Sequence, residues 1–149
     1  MTTDTMRYAA IMLLAGIGIP ILAALNARLG TRIGAPVAAS VVLFAVALLA
    51  CLVALVLSGQ GTGLGRLIGQ PWYLFLAGLF VANYVLSVTW VAPRFGVGNA
   101  VFCVLLGQMI AASTIDGFGL FGAVQHSITL NRGLGLAAMT IGLALIQLG

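Results

Sequence analysis

PVAASVVLFAVALLACLVALVL, residues Pro36–Leu57, is almost wholly Ala, Val and Leu, with no charged residue and no side-chain amide. A helix needs about 20 apolar residues to cross the hydrocarbon core of a bilayer, and this run has that length. Four further stretches surround it, at 8–25, 71–92, 98–115 and 133–148, each strongly apolar and close to the same length. Hydrophobic residues make up 62% of the 149-residue chain and charged residues 5%, against about a quarter charged in a soluble domain. The expected fold is therefore all-α, an integral membrane bundle of five transmembrane helices.

At this length the chain reads as a single five-span transmembrane domain, 1–149. The longest connections, 58–70 and 116–132, leave no room for a catalytic head outside the membrane. All six basic residues are Arg, there is no Glu, and the acids are Asp4 and Asp116. The sequence pI of about 9.8 thus reports arginines near helix ends. They are not clustered as nucleic-acid binding requires, so nucleic acid is excluded as a partner. Cys51 and Cys103 fall mid-span and read as small buried hydrophobes. No CxxC or Cys/His pattern exists, so no metal or other cofactor is expected. Arg7, an apolar run and small residues before Asn26 have the look of a signal peptide. Pro20, and the passage straight into a second span, favour a first transmembrane helix instead.

Each span has a character. The first is interrupted by Gly16, Gly18 and Pro20, and Pro20 predicts a kink, because it removes a backbone donor and crowds the preceding turn. The kink serves packing or forms a hinge beside a substrate cavity. Gly16, Pro20, Ala24 and Ala27 make a smooth face suited to close helix approach. The second span reads as wall. A Gly-rich, flexible link follows at 59–69, with Arg66 its one charge. Pro71 and Trp72 open the third span, with Trp72 and Tyr73 placed for the aromatic belt. That span carries Asn83, Ser87, Trp90 and Arg94 at intervals of four, three and four, which sets them on one helical face with Tyr84 beside it. Pro93 predicts a stop or bend. The fourth span carries Gln108, Ala112 and Asp116 on one face, with Asn99 near its start. The fifth, with Gly135, Ala138 and Gly142, reads as a packing or dimerisation helix. Residues 117–131 are too polar and Gly-broken to cross, and read as an interfacial hairpin or short helix. His126 within it reads as solvated, with pH sensing the sharper alternative. Thr129 or Asn131 is placed to cap the last helix.

Alternate loops of a five-span chain fall on opposite sides. One side receives Arg7, Arg66 and Arg132, the other Arg28, Arg32 and Arg94. Orientation follows an excess of Lys/Arg in cytoplasmic loops, and here there is none. The expectation is insertion both ways up and antiparallel pairing; the alternative is a fixed orientation set by weaker cues. Two antiparallel copies make a ten-span body with an in-plane two-fold axis, the arrangement behind alternating-access carriers.

The stretch at 18–34, with IPILAALNARLGTRIG after its first glycine, resembles the opening of the YdcZ-type proteins of the drug/metabolite transporter superfamily. The likeness continues at Ala92–Pro93–Arg94–Phe95–Gly96. It is strongest at Gly107–Gln108, Ser113, Asp116 and Phe118–Gly119–Leu120–Phe121–Gly122. The resemblance implies five spans, a multi-pass protein of the bacterial inner (plasma) membrane, and kinship with the small multidrug resistance exporters, which work as antiparallel dimers. Two positions depart from the family pattern. Leu22 stands where members often have Gln, and Gly117 where members often have His. The related exporters also use a first-span Glu. This chain has no Glu, so their proton-coupled cation exchange does not transfer intact.

A charge in the membrane core costs about 2.5–3.5 kcal/mol on insertion scales, so polar side chains there need partners or water. The substrate-binding candidates are Gln108, Asn83, Tyr84, Ser87, Trp90 and Asn26. The amides of Gln108 and Asn83 donate and accept at once, for a substrate or for an interhelix bond. Tyr84 and Trp90 suit a flat or cationic ligand, though the place of Trp90 near a span end favours a belt anchor. The coupling or gating candidates are Asp116, Arg94, Arg28 and Pro20. Asp116 is the one membrane-associated carboxylate; it is either solvated at a helix end or, in an antiparallel dimer, level with Arg28 and Arg94 of the mate. The expected function is export of a small organic metabolite or toxic compound by a secondary transporter. Its partners are the substrate, the lipid bilayer and a second copy or related chain. The alternative is an accessory subunit of a larger membrane complex. No ring of like polar residues marks a channel. No membrane acid pair and no HExxH marks an enzyme.

Overall fold

The computed structural model describes residues 3–125 and 129–148. They form five α-helices: α1 (Thr3–Ile33), α2 (Pro36–Leu57), α3 (Ala77–Phe95), α4 (Val97–Phe118) and α5 (Leu130–Leu148). No strand occurs among the described residues. Four helical segments are long and apolar enough to cross a membrane: Thr5–Ile33, Pro36–Leu57, Trp72–Phe95 and Val97–Phe118. The apolar stretch Leu130–Ile146 of α5 is shorter.

α1, α4 and α5 outrun the apolar stretches that announce them. α1 continues through Pro20 and ends at Ile33, past the last apolar run, because its stop is conformational. Gly34 takes φ 66°, its N–H donates to Thr31 O, and Ala35 N–H donates to Gly30 O. This pair of bonds closes a helix through a left-handed residue, which glycine adopts without a Cβ clash. Within α1, Pro20 leaves the Gly16 carbonyl without its usual i+4 donor. Pro93 does not stop α3, which runs on to Phe95. The link at 59–69, expected to be flexible, holds a 3₁₀ segment at Gln60–Leu67, and a second at Trp72–Leu76 leads into α3. Such turns need only local i→i+3 bonds, which a glycine-rich sequence can make. The expected interfacial hairpin contains a 3₁₀ turn, Leu120–Gly122; His126 lies outside the described residues. Thr129 caps α5, its Oγ1 accepting from Arg132 N–H at 3.3 Å.

The chain divides into two compact units, Met1–Arg94 and Phe95–Gly149. In the first, α1 packs along α2. The core is made of small side chains: Ala23, Ala27, Ala39, Val85, Val88 and Ala92 are all buried. Without a hydrophobic drive between helices in lipid, close van der Waals approach holds them together, and small residues permit it. Gly30 marks the tightest approach. A Cβ there would lie 3.0 Å from Pro36 Cα and 3.3 Å from Thr89 Cγ2. In the second unit α4 packs against α5. Cys51 and Cys103, expected to be buried, are exposed. A span surrounded by acyl chains gains little by turning a small apolar group inward.

Candidate functional site

The polar side chains of the first unit fall into two groups. One is a knot at its centre. Asn26 Nδ2 donates to Thr89 Oγ1 at 2.6 Å and lies 3.4 Å from Ser40 Oγ. Thr89 Oγ1 donates to Val85 O at 2.7 Å, and Ser40 Oγ to Pro36 O at 3.1 Å. Asn26 is 5% exposed, Ser40 1% and Thr89 2%. One residue comes from each of α1, α2 and α3, so a single satisfied cluster ties three helices. Buried polar groups persist in low dielectric when they are bonded in this way.

The other group is the stripe Asn83, Ser87, Trp90 and Arg94 on α3, and all four are exposed. The buried residues of the same helix are Val85, Val88, Thr89 and Ala92. At 3.6 residues per turn the two sets point about 180° apart. The sequence spacing identifies a face, and the structure turns that face outward. Arg94 folds back on Trp90, its guanidinium 4.5 Å from the ring centroid, and donates to the Trp90 carbonyl. Tyr84 lies beside the stripe, half-buried, with its hydroxyl buried and unbonded among the described residues.

Two openings flank the knot within this unit. A cleft of about 390 Å³ lies among Gly30, Gly34, Pro36, Thr89, Pro93 and Arg94. A groove of about 300 Å³ runs between α1 and α2 past Leu22, Asn26, Leu29, Val42 and Val46. Thr89 thus touches the cleft and Asn26 the groove. Arg28 is exposed near the end of α1, and Pro20 is half-buried in its middle.

In the second unit Gln108 is exposed on α4. Asp116 pairs with Arg132 of the same chain, Arg132 Nη2 to Asp116 Oδ2 at 2.7 Å, each side chain about 30% exposed. Gln125 Nε2 donates to Gly117 O at 3.2 Å across the same connection. The ion pair joins the end of α4 to the start of α5. Ser113 is 5% exposed, and its hydroxyl has no partner among the described residues. No cluster of three or more His, Cys, Asp or Glu that could hold a metal occurs among the described residues.

Sequence reasoning missed Ser40, Thr89 and Arg132. Ser40 stands in the span read as featureless wall. Thr89 lies one turn from Val85 and Ala92 on the apolar side of α3, which was its one visible signal. Arg132 meets Asp116 across a connection whose course the sequence does not show.

No curated protein and no solved structure matches the chain. The family model described as "Putative inner membrane exporter, YdcZ" matches residues 7–145, a stretch that holds the knot, the α3 stripe, Gln108 and the Asp116–Arg132 pair. The apolar membrane-length helices and that match together make the chain a multi-pass inner membrane protein belonging to the YdcZ exporter family.

Proposed function

We propose that the chain is a secondary transporter that exports a small organic metabolite or toxic compound by alternating access in a dimer. Its five spans form one transmembrane domain that makes half of the carrier. The observation that carries this reading is the outward stripe of α3. Polar side chains at mid-span are costly against acyl chains, and face protein or a watery cavity in working membrane proteins. Asn83 sits at the middle of the span Trp72–Phe95, the depth at which carriers hold their substrates.

The chemistry of the stripe fits an organic solute. The amide of Asn83 offers donor and acceptor together, and Ser87 adds a hydroxyl; Gln108, on α4, is a separate candidate amide of the same kind. Tyr84 and Trp90 offer ring faces, and the grip of Trp90 on Arg94 supports its binding of cationic or planar groups. Asn26 acts from the α1–α2 groove, holding three helices so that α3 presents the stripe. Asp116 is the coupling residue in this reading. Arg132 faces it, so protonation of the carboxylate would release Arg132 and the start of α5. Arg28 and Arg94 gate the ends of α1 and α3, and Pro20 supplies the hinge of α1.

The test is flux by the purified protein in liposomes, with a panel of labelled organic cations, neutral solutes and anions. At least one class is expected to move. A hydrogen bond to substrate is worth roughly tenfold in rate or affinity, so Asn83→Leu and Gln108→Leu should each cut flux by about that factor. Asp116→Asn should flatten the pH dependence of flux. Protein that moves none of the panel and purifies with a second membrane protein is an accessory subunit instead.

A further inference from the structure

α4 carries a buried hydroxyl that nothing in its own unit satisfies. Ser113 is 5% exposed, and its hydroxyl has no partner among the described residues. The other hydroxyls of α4 and α5 fold back on their own helices: Thr114 donates to Ile110 O and Thr140 to Leu136 O, each at 2.9 Å. Ser113 makes no such bond. α4 packs against α5 and against the 3₁₀ turn Leu120–Gly122, and these offer its hydroxyl nothing. Leu136 and Leu143, half-buried on α5 beyond Arg132, have no polar side-chain atom. We propose that Ser113 receives Asp116 when that carboxylate takes up a proton: the acid leaves Arg132 and donates to Ser113 Oγ, one turn back on the same helix. This rests on the coupling role proposed above for Asp116 and adds to it the group that holds the protonated state.

Three observations support this. First, residues three apart on a helix are neighbours, with Cβ atoms about 5–6 Å apart, so the two side chains are within reach of one hydrogen bond. Second, the bonding needs of the two states match the groups present. Ionised, Asp116 only accepts, and Arg132 Nη2 supplies the donor at 2.7 Å. Protonated, it becomes a donor, which an arginine cannot accept and a serine oxygen can. Asp116 and Arg132 are the charged side chains of α4, α5 and the turn between them, among the described residues; His126 lies outside those residues. An unbonded buried hydroxyl destabilises the state that contains it, and the bond from the acid removes that cost. Third, the connection closed by the ion pair is strained. Phe121 takes φ 57° and ψ 22°, a left-handed conformation that a Cβ makes costly. The Asp116–Arg132 pair and the Gln125 bond to Gly117 O hold the connection shut over it. Loss of the pair therefore opens the connection instead of merely exchanging one bond for another.

The test reads the connection directly. With Cys51 and Cys103 replaced by Ala, spin labels are attached at Phe118→Cys and Leu134→Cys, both exposed positions. The distance between them is followed in lipid nanodiscs from mildly alkaline to acid pH. The parent should give a narrow distribution at alkaline pH and a broad one in acid, and Asp116→Asn a broad one throughout. Ser113→Ala withdraws a hydrogen bond worth roughly tenfold from the protonated form, so the midpoint of broadening should fall by about one pH unit. Ser113→Thr, which keeps the hydroxyl, should restore it. At alkaline pH the Ser113→Ala chain should melt no lower than the parent, because it loses a hydroxyl that was unbonded. A midpoint unmoved by Ser113→Ala overturns the proposal. So does a midpoint raised by it, which would mean that Ser113 donates to the ionised carboxylate. A parent whose distances ignore pH, while its flux in liposomes still depends on pH, overturns the opening and leaves coupled transport standing. Flux and distances that both ignore pH overturn the coupling reading as well.

Discussion

α3 carries polar residues on two opposite faces, and they meet opposite fates. Thr89, on the inner face, is 2% exposed and bonded to Asn26 and to its own helix. Asn83 and Ser87, on the outer face, are uncovered. Both sets sit at depths where hydrocarbon would be the surroundings. The difference teaches that polarity in a span has two uses. A small hydroxyl surrounded by Ala and Val locks helices of one chain together. An amide left outward is unfinished until a substrate, water or another chain arrives.

Disturbing the inner face should be felt as stability, and the largest effect belongs to Gly30→Val. Its side chain would press on the Pro36 backbone and the Thr89 methyl, and overpacking of this kind costs about 1–3 kcal/mol. A clear drop in melting temperature in detergent is the expected result, and an unchanged one would break the claim of a tight three-helix contact. Asn26→Leu comes next. It removes the central donor, but Ser40 and Thr89 keep their own carbonyl partners. Interhelical hydrogen bonds in membranes are worth about 0.6–2 kcal/mol, so denaturant melting should show a loss in that range. Asp116→Asn should cost less, about 0.5–1 kcal/mol, since the ion pair is partly exposed; thermal melts with and without added salt check it, because salt should weaken the parent and not the variant. Asn83→Leu is the smallest of all for the single chain, within about 0.5 kcal/mol, because the residue is exposed and its amide makes no hydrogen bond among the described residues. If its loss instead matched that of Asn26→Leu, the two faces of α3 would not differ as argued.

Much of the helical plan was legible in residue order. The run at Pro36–Leu57 became α2 with the same bounds. The Asn83–Ser87–Trp90–Arg94 spacing correctly put four side chains on one face. The ends of α1 and α4 were less legible, since apolarity fades before the helix does. The stop comes from left-handed glycines, Gly34 and Gly119. The knot was legible only in part. Asn26 is conspicuous as an amide in a span, whereas a lone Ser in an Ala–Val–Leu run and a Thr between Val88 and Trp90 look like filler. Their meaning depends on what lies across the helix interface, and no local pattern carries that.

Residue order by itself determined the solvent and the secondary structure. So few charges over so many apolar residues leave the bilayer as the medium, and in lipid the backbone must satisfy itself within helices. Tertiary structure decided which way each helix face turns, that Asn26, Ser40 and Thr89 meet, and that Asp116 finds Arg132. A 3.6-residue period defines a face but not its neighbour, because the neighbour is chosen by the fit of small side chains many residues away.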